Sequence, residues 1–142
     1  MHGLRRKKIA WRISFFVLAI LADQLVKFCA TRGLLPAAGG FLDFVCNKNI
    51  AWGIPLQGFL LLFLWIVCIL VLLWLMKKHP WNFFLLLVLA GAISNVLDRL
   101  LFGCVVDYIK LGSFPVFNLA DTLITTGILV FLWTKKPRSP KF

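Results

Sequence analysis

The sequence predicts an all-α membrane protein, four transmembrane helices carrying a small β-containing platform on their outer side. Three observations carry that expectation. Hydrophobic residues make up 61% of the 142, against roughly half in an ordinary soluble domain. The apolar residues gather into four runs, each approaching the roughly 20 residues needed to cross a bilayer. Lys and Arg outnumber Asp and Glu by 16 to 5, a net charge of +11, and most of the basic residues lie in short flanks of the runs. Charge arranged in that way argues against a nucleic-acid partner, which needs a basic patch on a folded face. It points instead to topology and to contact with membrane lipids.

The elements follow in order, as one integral domain over 1–142. The first run, about 11–30, carries Asp23, Gln24 and Lys27 and lacks a small-x-small cleavage site. It is expected to stay as a span and not to be removed as a signal peptide. The loop at about 31–56 contains "FLDFVCN", rich in β-branched and aromatic residues, which suits a short strand; Asp43 within it reads as a turn residue. The second run, about 57–76, ends at Lys77-Lys78-His79-Pro80. Pro80 before Trp81 suits a new helix start, so the third span is placed at about 81–102. Ala90 and Ser94 in "AGAIS" have the small-x-x-x-small spacing of close helix packing. A second short strand is expected in "CVVDYIKL", within the loop at about 103–115. The fourth span, about 116–134, precedes a basic tail, and no internal repeat is visible.

Orientation follows from the basic residues. Arg5, Arg6, Lys7, Lys8, Arg12, Lys77, Lys78, Lys135, Lys136, Arg138 and Lys141 fall on one side, and only Arg32, Lys48 and Lys110 fall in the opposite loops. The positive-inside rule then puts both termini in the cytoplasm and both long loops outside.

With that orientation, all five acidic residues, Asp23, Asp43, Asp98, Asp107 and Asp121, lie on the outer side. Carboxylates within a span are costly and mark a functional site or a pair facing the bundle interior. Asp23 and Lys27 are spaced to pair on one helix face. Asn95, Asp98 and Arg99 form one polar stripe, and so do Asn118 and Asp121. Asn118 is a candidate helix cap, with Asp121 favoured at a helix N-terminus. Asp107 lies in a loop with no basic residue beside it in sequence, where a lone carboxylate is normally solvated. The two histidines are on the cytoplasmic side and there is no H-E-x-x-H, so no metal site and no cofactor are expected. No Gly-rich phosphate loop is present, and Ser94 has no His beside it. The four cysteines form no C-x-x-C pair and read as buried thiols, although three lie near the outer face, where a disulfide is feasible. Paired carboxylates are the main acid–base chemistry left on this face. An alternative is a small ion-coupled transporter or channel subunit. Such sites lie near the midplane, often in repeated halves, unlike this arrangement.

The motifs "ADQLVK" from Ala22, "NKNIAWG" from Asn47, "AGAISNVLDR" from Ala90, "GCVVDYI" from Gly103 and "FNLADT" from Phe117 together resemble the lipoprotein signal peptidases (signal peptidase II), in family order. The resemblance implies a four-span membrane aspartic peptidase of the bacterial inner membrane. Its active site would lie toward the outer leaflet, cutting prolipoproteins before a lipid-modified cysteine, with those substrates and membrane lipids as partners. A monomer is expected. The catalytic pair would be Asp107 and Asp121. Asn95 and Arg99 would line the substrate pocket, Asn118 would orient the pair, Asn47 would belong to the outer platform, and Asp23, Lys27 and Asp98 would brace the site. The chain departs from the family at Asn49, Ser94 and Ala90, where Gly is usual. Tyr108 and Trp52 replace common Phe, an exchange expected to be benign.

Overall fold

Four helices and two strands form along the chain: α1 (His2–Thr31), β1 (Leu42–Asn47), α2 (Phe59–Lys78), α3 (Phe83–Phe102), β2 (Val105–Ile109) and α4 (Leu119–Lys135). This is a computed structural model that describes residues 2–35, 41–48 and 59–135. By length and composition, Arg6–Thr31 of α1 and the whole of α3 are long and apolar enough to cross a membrane.

The distribution of side chains is the reverse of a soluble fold. Leu100, Leu129 and Trp133 expose 77%, 62% and 80% of their surface, whereas Asp23, Lys27, Asp98 and Asn118 expose none. Water would reject such an exterior, but hydrocarbon accepts it and pushes the charges inward.

Helix α3 starts two residues later than Pro80 suggested. The Asn82 side chain accepts hydrogen bonds from the amides of Phe84 and Leu85 at 3.0 and 3.3 Å, which satisfies donors that a first turn otherwise leaves open. Trp81 precedes it in a turn, at φ 64°. Gly103 ends the helix at φ 72°, with its amide bonded to the Arg99 carbonyl, as an αL cap requires. That turn sends the chain directly into β2.

Helices α3 and α4 pack closely because glycines face backbone. A Cβ on Gly91 would lie 2.3 Å from the Ala120 carbonyl oxygen, and one on Gly127 would lie 2.7 Å from that of Phe84. Ala120 is itself fully buried, so small residues permit the approach. Toward the other end, Leu72, Leu85, Val88 and Phe131 form an apolar cluster.

Basic residues gather at that end. The Arg12 guanidinium donates to the Trp81 carbonyl, and Lys135 Nζ lies 3.2 Å from His79 Nδ1. The start of α1, the α2–α3 turn and the end of α4 therefore meet.

At the opposite end the two expected strands pair antiparallel, with Val45 opposite Asp107, Cys46 opposite Val106 and Asn47 opposite Val105, and an irregular register between Leu42 and Val45. Asp43 is a strand residue rather than the turn residue expected. Lys110 Nζ lies 2.9 Å from its carboxylate, and that hydrogen bond and charge lower its pKa. After β2 the chain doubles back: Tyr108 and Ile109 both donate to the Phe117 carbonyl, and Phe117 donates to that of Ile109. This return brings the start of α4 beside β2.

Candidate active site

The site rests on a buried charge cluster. Lys27 and Asp23 stand one turn apart on α1 and pair at 2.6 Å; the same ammonium lies 2.7 Å from Asp98 on α3 and donates to Asn95 Oδ1 at 2.9 Å. All three of its protons are thereby used. Asp23 also accepts from Ser94 Oγ at 2.6 Å, Tyr108 OH at 3.0 Å and the Ala120 amide at 3.2 Å. Asp98 accepts from Gln24 Nε2 at 2.8 Å and the Val106 amide at 3.0 Å. One ammonium and two carboxylates thus tie α1, α3, β2 and α4 together. Among the described residues no buried side-chain nitrogen or oxygen lacks a hydrogen-bond partner, the condition under which buried charge is tolerable.

A second pair of carboxylates lies on top of this cluster. Asp107 comes from β2 and Asp121 from the first turn of α4. Asn118, fully buried, stands between them. Its Nδ2 donates to Asp107 Oδ1 at 2.7 Å and contacts the Val106 carbonyl and Asn95 Oδ1, each at 3.2 Å. Its Oδ1 caps α4 by accepting from the Asp121 amide at 2.8 Å, and Asp121 Oδ2 reaches back to the Asn118 amide at 3.3 Å. This reciprocal pair is the geometry of a capping box, with Asp in place of the usual Glu. Asn95 donates to Asp121 Oδ1 at 2.8 Å, joining the upper pair to Lys27. From β1, Asn47 Nδ2 donates to Asp107 Oδ2 at 3.0 Å.

Asp107 and Asp121 line one cavity of about 400 Å³ with Asn47, Phe114, Phe117, Thr122, Ile124, Thr125 and Thr126 among its other walls. Burial raises the Asp107 pKa to about 6, and the negative charge of Asp121 adds to the rise; the amides of Asn47 and Asn118 and the charge of Lys27 oppose it. Two carboxyls opening on one cavity offer a base and an acid to a molecule held there. Among the described residues no group of three or more His, Cys, Asp or Glu is arranged to hold a metal ion.

The family model for Signal peptidase (SPase) II matches residues 15–135. The chain belongs to the signal peptidase II family. It is 36% identical to the lipoprotein signal peptidase of Moorella thermoacetica, over 84% of this chain and 90% of that one. It is 32% identical to that of Sinorhizobium fredii, over 89% and 90%. Two solved structures, each described as a bacterial membrane enzyme determined by the in meso method, share its fold. One has a TM-score of 0.74 at 26% identity, covering 94% of this chain and 95% of that one; the other has 0.72 at 29%, covering 92% and 96%. Membership of this peptidase family sets aside the ion-coupled transporter alternative.

The structure bears on several expectations about this signal peptidase II chain. Asp107 is not a solvated loop carboxylate: it is 2% exposed, because the chain reversal after β2 and the pairing with β1 cover it. The Tyr108 hydroxyl that replaces a common Phe hydrogen is fully bonded. It donates to Asp23 and accepts from the Leu119 amide at 3.1 Å, and burial with the Asp23 charge raises its pKa. Ser94, likewise a departure from Gly, is a ligand of Asp23 and also accepts from Gln24 Nε2 at 2.9 Å. Cys46 and Cys104 are not free thiols but a disulfide; Cys29 and Cys68 are free. Asn95 lies beneath Asp121 and is not among the cavity walls. Arg99 is half-buried, donating to the Asn95 carbonyl at 3.4 Å with its guanidinium 5.1 Å from the Trp65 ring; it also lies outside those walls. Asn49 and Trp52 lie outside the described residues. Sequence reasoning noted Gln24 only as a polar residue of the first run and gave it no role at the site.

Proposed function

We propose that Asp107 and Asp121 are the catalytic dyad of this signal peptidase, which removes the signal peptide of prolipoproteins by hydrolysing the bond before a diacylglyceryl-modified cysteine. One observation carries the assignment. Two carboxylates from different elements, Asp107 buried and Asp121 half-buried, open on the same cavity, and Asn118 donates to each, by its side-chain amide to Asp107 and by its backbone amide to Asp121. One Asp, ionised, takes a proton from water as the water oxygen attacks the scissile carbonyl carbon. The other, protonated, donates to the carbonyl oxygen. Collapse of the tetrahedral intermediate breaks the C–N bond, and the proton taken from water passes to the departing amino group of the cysteine. Asn47, Asn95 and Asn118 hold the carboxylates by donating to them; Asp23, Lys27 and Asp98 brace the helices beneath. Arg99 supplies positive charge from α3 toward the pair.

The same reading places four spans in the inner membrane, with both termini cytoplasmic and the dyad toward the outer leaflet, acting as a monomer. It is supported by the gathering of α1's start, the α2–α3 turn and α4's end at one basic pole, opposite the two strands. A substrate's diacylglyceryl group then stays in lipid while the adjoining bond meets water at the interface.

The test is cleavage by purified protein in detergent. A diacylglyceryl-modified prolipoprotein should be cut and its unmodified form left intact, and Asp107→Asn and Asp121→Asn should each fold but lose nearly all cleavage. The double variant should be little worse than either single one, since residues acting as a unit are non-additive. Full activity in either single variant would remove the dyad.

A further inference from the structure

The Cys46–Cys104 bridge joins β1 to the residue preceding β2, its Cα atoms 5.5 Å apart and 58 residues apart in sequence. Its position relative to the dyad is what matters. Cys46 immediately precedes Asn47, whose amide donates to Asp107, and Cys104 lies three residues before Asp107, just ahead of the other strand. Among the described residues, the other ties of β1 are its pairing with β2 and contacts at the surface. Its side chains from Asp43 to Cys46 are exposed, its register with β2 is irregular between Leu42 and Val45, and its ion pair, Asp43–Lys110, is at the surface. An isolated two-stranded ribbon is marginally stable, and exposed ion pairs contribute little.

We propose that the Cys46–Cys104 disulfide is a positioning element of the active site, holding Asn47 against Asp107, so that full activity follows oxidation at the outer face. This rests on the assignment of Asp107 to the dyad. Formation balances as thiol–disulfide exchange. The exposed Cys46 thiolate attacks the disulfide of an outer-compartment thiol oxidoreductase, releasing one of its thiols; Cys104, 2% exposed, then displaces the second. Two cysteines are oxidised and the partner's disulfide is reduced to two thiols.

The experiment compares folded wild type before and after a phosphine reductant, with maleimide labelling mapped residue by residue so that the free Cys29 and Cys68 are counted apart. Cys46 and Cys104 should label only after reduction. Reduction should lower kcat/KM about tenfold, the scale of one lost hydrogen bond to a charged group. The pH limb that reports Asp107 should move to higher pH, because losing a donor favours the protonated carboxyl. The other charged groups acting on Asp107 are Asp121 from α4, Lys27 from α1 and Arg99 from α3, and none is redox-active. Cys46→Ser with Cys104→Ser should match reduced wild type and ignore the reductant. Asn47→Ala should start low and lose nothing further on reduction.

An unchanged rate and pH limb after both thiols label would overturn the proposal. So would labelling of Cys46 and Cys104 before reduction, or a further tenfold loss in Asn47→Ala, which would make the bridge a simple staple. If the double Ser variant does not fold, reduction of folded wild type still decides. Retained cleavage in Asp107→Asn would strike the dyad itself, whereas an inactive Asp107→Asn with no redox effect strikes this proposal alone.

Discussion

Replacing Asp107 by Asn should abolish cleavage and at the same time stabilise the protein near neutral pH. The carboxyl titrates at about 6 in the folded chain against 3.8 in an open one. At 1.36 kcal/mol for each tenfold step that is about 3 kcal/mol, and solvent contact through the cavity reduces it to about 1–2 kcal/mol. The sign follows from proton counting. Between pH 3.8 and about 6 the folded state holds more of the proton than the unfolded state does, so wild-type stability falls as pH rises through that window. Above it the full cost of a buried charge is present, and an uncharged amide avoids that cost. The variant's advantage should therefore be greatest above about pH 6 and vanish below about pH 4. Thermal unfolding of both proteins in detergent at pH 4, 6 and 8 reads the difference directly, beside a cleavage assay on lipid-modified prolipoprotein. A variant less stable than wild type at pH 8, or an advantage that does not change from pH 4 to 8, would refute the reasoning. Either outcome would mean that burial is not what sets the Asp107 titration.

Other perturbations probe the scaffold. Lys27→Met strips two fully buried carboxylates of their shared cation and should cost about 3–5 kcal/mol; adding Asp23→Asn and Asp98→Asn should recover part of the folded yield, and no recovery would rule out unpaired charge as the cause. Tyr108→Phe removes a donor to Asp23 and strands the Leu119 amide. It should lower stability by about 1–2 kcal/mol while leaving measurable cleavage, as chemical denaturation in mixed micelles can show. Gly91→Ala drives a methyl into the Ala120 carbonyl, one residue before Asp121. Overpacking of that kind costs about 1–3 kcal/mol, and a drop in kcat larger than the loss of folded protein would show that the dyad has moved as well.

Composition and the run lengths were enough to read a helical membrane chain, because hydrocarbon leaves a spanning segment few options beyond an apolar helix. Both strands were legible from β-branched and aromatic residues. The Asp23–Lys27 pair and the Asn118 cap were legible too, since each depends only on helical spacing a few residues long. The start of α3 was misread because Pro80 is the louder local signal, while the side-chain bonds of Asn82 decide the matter. What sequence could not supply were contacts between residues far apart along the chain. Asp107 looks solvated until the return of Phe117 to Ile109 and the pairing with β1 cover it. Lys27 looks like the partner of one carboxylate until α3 brings a second. Tyr108 looks like a benign exchange and Ser94 only a departure from Gly until Asp23 is found between them, and four scattered cysteines do not say which two meet. Side-chain type, charge and local period are written in the chain itself. Burial and hydrogen-bond partnership arise only when helices approach closely enough to exclude other partners, as Gly91 and Gly127 permit here, and those decide which carboxylates brace the fold and which face the cavity.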